Sequence, residues 1–295
     1  MDGMSSVPAF SCGYARALRR EIIARNQKLA RERHLDAVSS YGRDEVVVYT
    51  HSAECTHHGN FFPGSYRAIQ RNPSWRKRLR KPHSGCRNLP KGAQWNELAA
   101  CTSSDALLMN IFCNPEALAE GKLQRLMSVD LTARPEFGVR VAASLENDER
   151  DRTEVDMRIS DLLVEAKLTE NDFQSCRPSR VERYRGFCET FDRLRLPRIR
   201  GGYASYQLLR SVLAAQACGS RFCVITDARR PDLREQWFRV MQCVRDHELR
   251  MSCQMLTWQE IADVLPKKLA KWLAEKYGIF APGIEPRIDA ADWYW

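Results

Sequence analysis

Between residues 154 and 168 apolar and polar positions alternate. Val155, Met157 and Ile159 are interleaved with Glu154, Asp156 and Arg158, and Val164, Ala166 and Leu168 with Glu165 and Lys167. A period of two marks strands with one buried face. A two-residue turn at Ser160 and Asp161 folds the two runs into a hairpin. In that register Ile159 lies opposite Leu162, Met157 opposite Val164 and Val155 opposite Ala166, which makes an apolar face. The other face sets Asp156 opposite Glu165 and Glu154 opposite Lys167. Directly opposed like charges weaken a sheet. Two carboxylates about 5 Å apart at their Cβ atoms make sense if a divalent cation sits between them, and Mg²⁺ prefers oxygen ligands of this kind. The competing reading is a solvated, charged face on an ordinary hairpin.

The same patterning predicts the flanking elements. Residues 14–38 carry a partial helical stripe of Leu18, Ile22, Leu29 and Leu35 surrounded by arginines, with Gly42 as a stop. Residues 45–50 read as a strand, and residues 51–95 as irregular. A helix is predicted over 103–112 with Ser103 or Ser104 as its cap. A second begins at Pro115 and runs to about residue 127. Residues 137–145 read as a strand, 203–217 as an amphipathic helix and 221–228 as a buried strand. Beyond these come a helix from Pro231, a strand over 251–258 and two further helices to residue 280. Leu269, Trp272, Leu273 and Tyr277 have helical spacing and belong to a core.

Charge changes the picture at one point. Residues 1–100 contain 17 Lys and Arg against 8 Asp and Glu, whereas residues 101–295 contain 29 of each. The whole net charge of +9 therefore sits in the first third, as a sequence-independent attraction to phosphate would require. Its densest stretch is 67–81, where Arg71, Arg76, Lys77, Arg78, Arg80 and Lys81 are the candidate DNA contacts. Trp75 among them reads better as a core anchor than as a base-stacking residue. Residues 177–200 form a second basic stretch that follows the hairpin. No apolar run approaches the roughly 20 residues of a membrane span, and the N-terminal residues lack the basic start and apolar block of a signal peptide. The expectation is a cytoplasmic protein whose 11 cysteines are mostly reduced and buried.

The aspartate at 156, the eight-residue gap and Glu165-Ala166-Lys167 on an apolar strand resemble the PD-(D/E)xK nuclease superfamily, in its bacterial restriction-endonuclease-like branch. The resemblance covers about residues 100–228. It implies an α/β restriction-endonuclease-like core (helix, three antiparallel strands, helix, strand), here with a basic N-terminal extension over 1–95 and C-terminal helices within a nuclease domain over 96–295. It implies a DNA endonuclease hydrolysing phosphodiester bonds with Mg²⁺ or Mn²⁺ held by Asp156, Glu165 and the Ala166 carbonyl. Lys167 would orient or deprotonate water and stabilise developing charge. Glu154 is the candidate partner of Lys167, and Gln207 a polar residue facing the site. Asp105, Glu97 and Glu146 are candidates for an additional acid. Position 211 is Ser, so the Gln-x-x-x-Tyr pattern of exonuclease relatives is absent. DNA is the expected partner, with RNA and a homodimer open. The alternative is a nucleic-acid-binding protein on the same fold with little or no catalysis, and a third reading is a protein-interaction domain whose charged hairpin is incidental.

A second constellation lies in the proline-rich region. Cys55-x-x-His58 and His83-x-x-Cys86 have zinc-type spacing, and four of the six histidines fall between residues 51 and 83. Thiolate and imidazole pairs on short turns suit a structural Zn²⁺. The competing reading is a chance cluster. Neither a phosphate-binding glycine loop nor a Gly-x-Ser-x-Gly elbow is present.

Overall fold

Period-two alternation becomes, in the computed structural model, the middle of a five-stranded mixed sheet. The structure describes residues 11–41, 45–50, 57–86, 88–130, 133–141, 143–146, 149–151 and 154–283. The strands are β1 (Glu136–Arg140), β2 (Glu154–Ile159), β3 (Leu162–Ala166), β4 (Arg221–Thr226) and β5 (Cys253–Thr257), in the spatial order β5-β4-β3-β2-β1. β1, β2 and β3 are antiparallel neighbours, while β3, β4 and β5 run parallel. The helices that matter here are α1 (Ser11–Glu32), α2 (Pro63–Arg71), α3 (Pro73–Arg78), α4 (Ser104–Phe112), α5 (Tyr206–Ala217), α6 (Pro231–Met241), α7 (Trp258–Asp263) and α8 (Lys267–Tyr277). The order α4, β1, β2, β3, α5, β4 is the one expected from the sequence, and β5 extends the sheet.

Every residue of β3 is buried, because helices cover both faces of the sheet, as its parallel part requires. On one face α1, α4, α7 and α8 pack on Met157, Ile159, Leu162, Val164, Ala166 and Ile225. On the other, α5 and α6 pack on Leu163, Phe222 and Val224. A smaller cluster holds α2 and α3 against α4 through Tyr66, Ile69, Trp75 and Met109. Among the described residues no helix is long and apolar enough to cross a membrane.

The hairpin keeps its expected register only near the turn. Ile159 pairs with Leu162, Arg158 with Leu163 and Met157 with Val164, and Ser160 takes the left-handed conformation of a tight turn, φ 52°. Beyond Met157 the ladder stops. The backbone amide of Ala166 donates to Oδ2 of Asp156 at 2.8 Å rather than to the neighbouring strand. Val155 does not join Ala166 on one apolar face: it packs in the second core, and Ala166 in the first. A side-chain carboxylate has replaced a backbone acceptor, and the strands part at the point where the charged residues begin.

Other expectations shift at their ends. α1 ends at Glu32, and residues 37–39 form an unforeseen strand paired with 47–49. The region read as irregular contains α2 and α3, each started by a proline that suits a first helical turn. The strand expected over 137–145 ends at Arg140, and Ala143–Ser144 pairs separately with Arg150–Asp151. The helix from Pro115 breaks at Glu120 into two short helices. Ser103 caps α4 by accepting from the Ala106 amide at 3.1 Å, as its position before the apolar run suggested.

Candidate active site

The charged residues gather where β2 and β3 separate. Glu165 and Lys167 are 2% and 5% exposed. The Lys167 ammonium donates to Oε1 of Glu165 at 2.7 Å, and the Gln207 amide, from the first turn of α5, donates to the same oxygen at 3.1 Å. The other oxygen of Glu165 lies 3.8 Å from the guanidinium of Arg210, one turn further along α5. The backbone of Lys167 is held from both directions: its amide donates to Ile225 of β4, and its carbonyl accepts from the Trp258 indole at 2.9 Å. These bonds fix the residue that carries the ammonium.

Electrostatics follow from this crowding. Burial pushes the Asp156 carboxyl well above the usual carboxylate range, with the charges of Glu165 and Asp105 adding to the rise and Lys167 and the Ala166 amide opposing it. Burial opposes the charge of Lys167, yet Glu165, Glu170 and Asp156 hold its pKa above the ordinary lysine value. The ammonium is therefore charged at neutral pH. Glu170 is tied in by Ser104 Oγ, 2.6 Å from Oε1, and by the Leu168 amide, 2.6 Å from Oε2.

A second charged group adjoins the first. Asp105, from the first turn of α4, is 4% exposed and accepts from both Arg78 and Lys81 at 2.9 Å. Arg78 also reaches Glu154 at 2.7 Å, and Lys81 reaches Glu97 at 3.2 Å. Gly138 lies between the pairs Phe137–Met157 and Val139–Val155, opposite Asp156. A Cβ at Gly138 would stand 2.0 Å from the Arg78 guanidinium, and its φ is +64°. Glycine is thus required there, both for the backbone and for the close approach of an arginine from α3.

Several sequence expectations are redistributed. Asp156, Glu165, Lys167 and Gln207 meet. Glu154 is not the partner of Lys167: the parting of the strands removes it from Lys167, and it pairs with Arg78 and, at 3.6 Å, Lys81. Against the opposing effect of burial, Arg78 lowers the Glu154 pKa. Among the described residues Arg78 and Lys81, unlike the other basic residues of this stretch, are paired internally with Asp105 and Glu154. Arg71, Arg76, Lys77 and Arg80 are exposed or nearly so on α2, α3 and the following turn. Trp75 is the core anchor: its indole donates to the Pro135 carbonyl at 2.9 Å and its ring meets Phe137 edge-on. Glu146 is exposed in the turn after Leu145, where its backbone amide donates to the Arg183 carbonyl. Arg210 went unnoticed in the sequence, where one arginine on an apolar helix carries no signal. Gly138 inside a strand was the one local sign of a close approach.

The Cys/His set is only partly described, because Cys55 lies outside the described residues. His58 accepts from the Asn60 amide and its ring packs against Phe61 and Tyr66. His83 accepts from the Gly85 amide and stacks on Trp95, and the Cys86 thiol donates to the His83 carbonyl. Among the described residues no three His, Cys, Asp or Glu side chains are placed to hold a metal, so His58, His83 and Cys86 do not form a zinc site by themselves.

Mg²⁺ makes smaller demands, because it is bound through one or two carboxylates plus waters and substrate phosphates. Asp156 and Glu165 meet that requirement. The raised Asp156 carboxyl marks an excess of buried negative charge that a cation would relieve, and among the described residues the buried Oε1 of Gln207 has no hydrogen-bond donor. No curated protein and no solved structure matches the chain. Residues 30–278 match the family model described as restriction endonuclease associating with ARP; the chain belongs to that family, which implies a nuclease of restriction-endonuclease-like fold with DNA as its substrate.

Proposed function

We propose that this protein is a divalent-cation-dependent DNA endonuclease in which Asp156 and Glu165 hold the cation and Lys167 is the charged group nearest the reaction. The observation that carries this reading is the convergence of Lys167 and Gln207 on one oxygen of Glu165, beside an Asp156 carboxyl that shares its field. A bound cation would supply charge neutralisation at the scissile phosphate and a more acidic water. The rest is the work of side chains. Lys167, already protonated, cannot accept a proton from water. It orients water and offers positive charge where negative charge develops, in a site too buried for solvent to screen it. Gln207, whose amide oxygen has no hydrogen-bond partner among the described residues, accepts a hydrogen bond from water. Arg210 supports Glu165 from α5.

Arg71, Arg76, Lys77 and Arg80 are the phosphate contacts of the α2–α3 face in this reading. The family description adds association with ARP. One observation favours the non-catalytic alternative: Lys167 and Glu165 are bonded to each other rather than directed to an open position. Incubation of the purified protein with supercoiled plasmid in Mg²⁺, Mn²⁺ or EDTA separates the two readings. Nicked or linear product with either cation and none in EDTA is expected. Gel shifts without cleavage in any cation would leave only the binding protein.

A further inference from the structure

Arg78, the last residue of α3, reaches across to the sheet beside Asp156. Its guanidinium fills the place that a Cβ of Gly138 would take, and Gly138 lies opposite Asp156 in the ladder. Directly opposed residues of an antiparallel pair point to one face of the sheet, so guanidinium and carboxylate are neighbours on that face. Two further carboxylates hold the group, Asp105 at 2.9 Å and Glu154 at 2.7 Å. Lys81 joins them, 2.9 Å from Asp105 and 3.6 Å from Glu154. The Arg78 side chain is only 11% exposed. Burial opposes its charge, but Asp105, Glu154 and Asp156 outweigh that effect. An arginine in a protein does not give up its proton, so this positive charge is permanent.

A positive charge enclosed by three carboxylates is what a bound metal ion would present. Two-metal hydrolytic sites set their ions about 3.5–4 Å apart among such acids. The charge of the whole cluster supports a single ion here. Glu165 and Glu170 act on Lys167, with Arg210 beside Glu165. Asp105, Glu154 and Glu97 pair with Arg78 and Lys81. Asp156 stands between the two groups and feels charges of both. With every group ionised, six carboxylates against four cationic side chains leave two negative charges, which one divalent ion neutralises. A second ion at Asp105 and Glu154 would have to displace Arg78.

We infer that Arg78 stands where a second divalent cation would otherwise bind, so that the site takes one cation, at Asp156 and Glu165, and α3 supplies the second positive charge. The inference rests on the nuclease reading above and deepens it to a one-cation site. Arg78 is a positioning residue in this arrangement, because it acts through Asp105 and Glu154. Gly138 belongs to the same device, since any side chain there would drive the guanidinium out of the carboxylates.

The test counts bound ions. Mn²⁺ is titrated into the full-length, metal-free protein and followed by calorimetry and by loss of the spin-resonance signal of free Mn²⁺. Wild type should bind one Mn²⁺. Arg78→Met, which keeps most of the volume and loses the charge, should bind one more. Arg78→Met/Asp105→Asn should return to the wild-type number, and Arg78→Lys, which keeps the charge, should never leave it. Plasmid cleavage against Mg²⁺ concentration is the second readout: its log–log slope below saturation should rise from about one in wild type to about two in Arg78→Met. An arginine that only ties α3 to the sheet predicts a less stable Arg78→Met with an unchanged ion count, and that result would overturn the inference. So would an extra ion that survives Asp105→Asn, or a wild type that binds two ions or none. If Arg78→Met does not fold, the wild-type count and slope decide, one ion with a slope of about one supporting the inference and two ions or a slope of about two overturning it. Wherever wild type still cleaves plasmid in Mg²⁺, the nuclease reading stands and only the role of Arg78 fails. A wild type that neither binds Mn²⁺ nor cleaves sinks both.

Discussion

Among the described residues two lysines are buried, and their surroundings treat them in opposite ways. Lys167 is 5% exposed and Lys276, on α8, is 1% exposed. Lys167 lies among Glu165, Glu170 and Asp156, which outweigh burial and keep it charged. Lys276 lies among rings: its ammonium is 4.1 Å from the centroid of Tyr49 and 5.7 Å from those of Trp272 and Tyr277. It donates to Asn26 Oδ1 at 2.5 Å and the Gly59 carbonyl at 3.2 Å, and among the described residues it has no carboxylate partner. Burial pushes its pKa down to about 7, with Cys101 opposing and Arg33 adding to the fall. Burial removes water from both ammonium groups. The difference is made by the carboxylates, and an excess of buried carboxylate is itself costly. Perturbed charge with specific ionic partners marks a site, whereas perturbed charge among aromatic rings and amides here ties α1 to α8.

Substitution by methionine, which keeps most of the volume, sharpens the contrast. In the proposed mechanism Lys167→Met removes a charge used as the reaction proceeds, so single-turnover cleavage should fall by about 10² to 10⁴, the scale of lost general acid–base or oxyanion-type contacts, while DNA affinity persists. It also strands Glu165 without its closest cation, and the fold should lose about 3–5 kcal/mol, as when one partner of a buried pair is removed. Urea unfolding beside a cleavage time course checks both. A variant that cleaves at the wild-type rate would remove Lys167 from the mechanism.

Asp156→Asn probes the excess charge from the other side. The Asp156 carboxyl has its pKa raised in the folded state, so the folded protein binds more protons than the unfolded one above the normal carboxylate range. Metal-free stability should therefore be greatest in acid and fall as pH rises through the folded pKa. Asn removes that dependence and should raise the metal-free melting temperature near neutrality by several degrees, about 2–4 °C for each kcal/mol at this chain size. It should also abolish the stabilisation that Mg²⁺ or Mn²⁺ confers on wild type by mass action. Thermal melts across pH, with and without cation, decide the matter. A divalent shift that survives in Asp156→Asn would place the cation elsewhere.

Lys276 should behave in the opposite way and with the smallest effect. Its folded pKa is depressed, so the unfolded state binds more protons between about pH 7 and the unfolded lysine value near 10.4. Stability should climb across that window and be lowest below it. Lys276→Met should flatten the climb and raise stability at pH 7 by about 1–2 kcal/mol, the relief of a buried charge less the hydrogen bonds to Asn26 and Gly59. Cleavage should be unaffected at temperatures well below the melt. A melting temperature independent of pH between 7 and 10 in wild type would break the comparison.

The hairpin, its turn and the pairing of Met157 with Val164 were legible because period-two patterning permits one register without exposing the apolar set. The cap of α4 and the buried strand β4 were legible for similarly local reasons: a serine before an apolar run and a short apolar run between turn signals. Glu165, Lys167 and Asp156 stood out because charged residues on an apolar strand need an explanation. Local pattern could not tell where the ladder stops, since the stop depends on an Asp156 carboxylate taking the Ala166 amide. Nor could it tell that Arg78 and Lys81, in the most basic stretch of the chain, turn inward. Both reach Asp105, separated from them by 27 and 24 residues, and Arg78 needs the missing Cβ of Gly138 to do so. Thus the sequence determined the central hairpin, the buried strand β4, the helix α4 and the chemical types present at the centre of the sheet, because these follow from neighbours within a few residues. The tertiary structure alone decided which charges meet, which remain on the surface and which of two buried lysines has its pKa raised and which lowered, because Coulomb interactions and desolvation depend on distance and burial in space rather than on order along the chain.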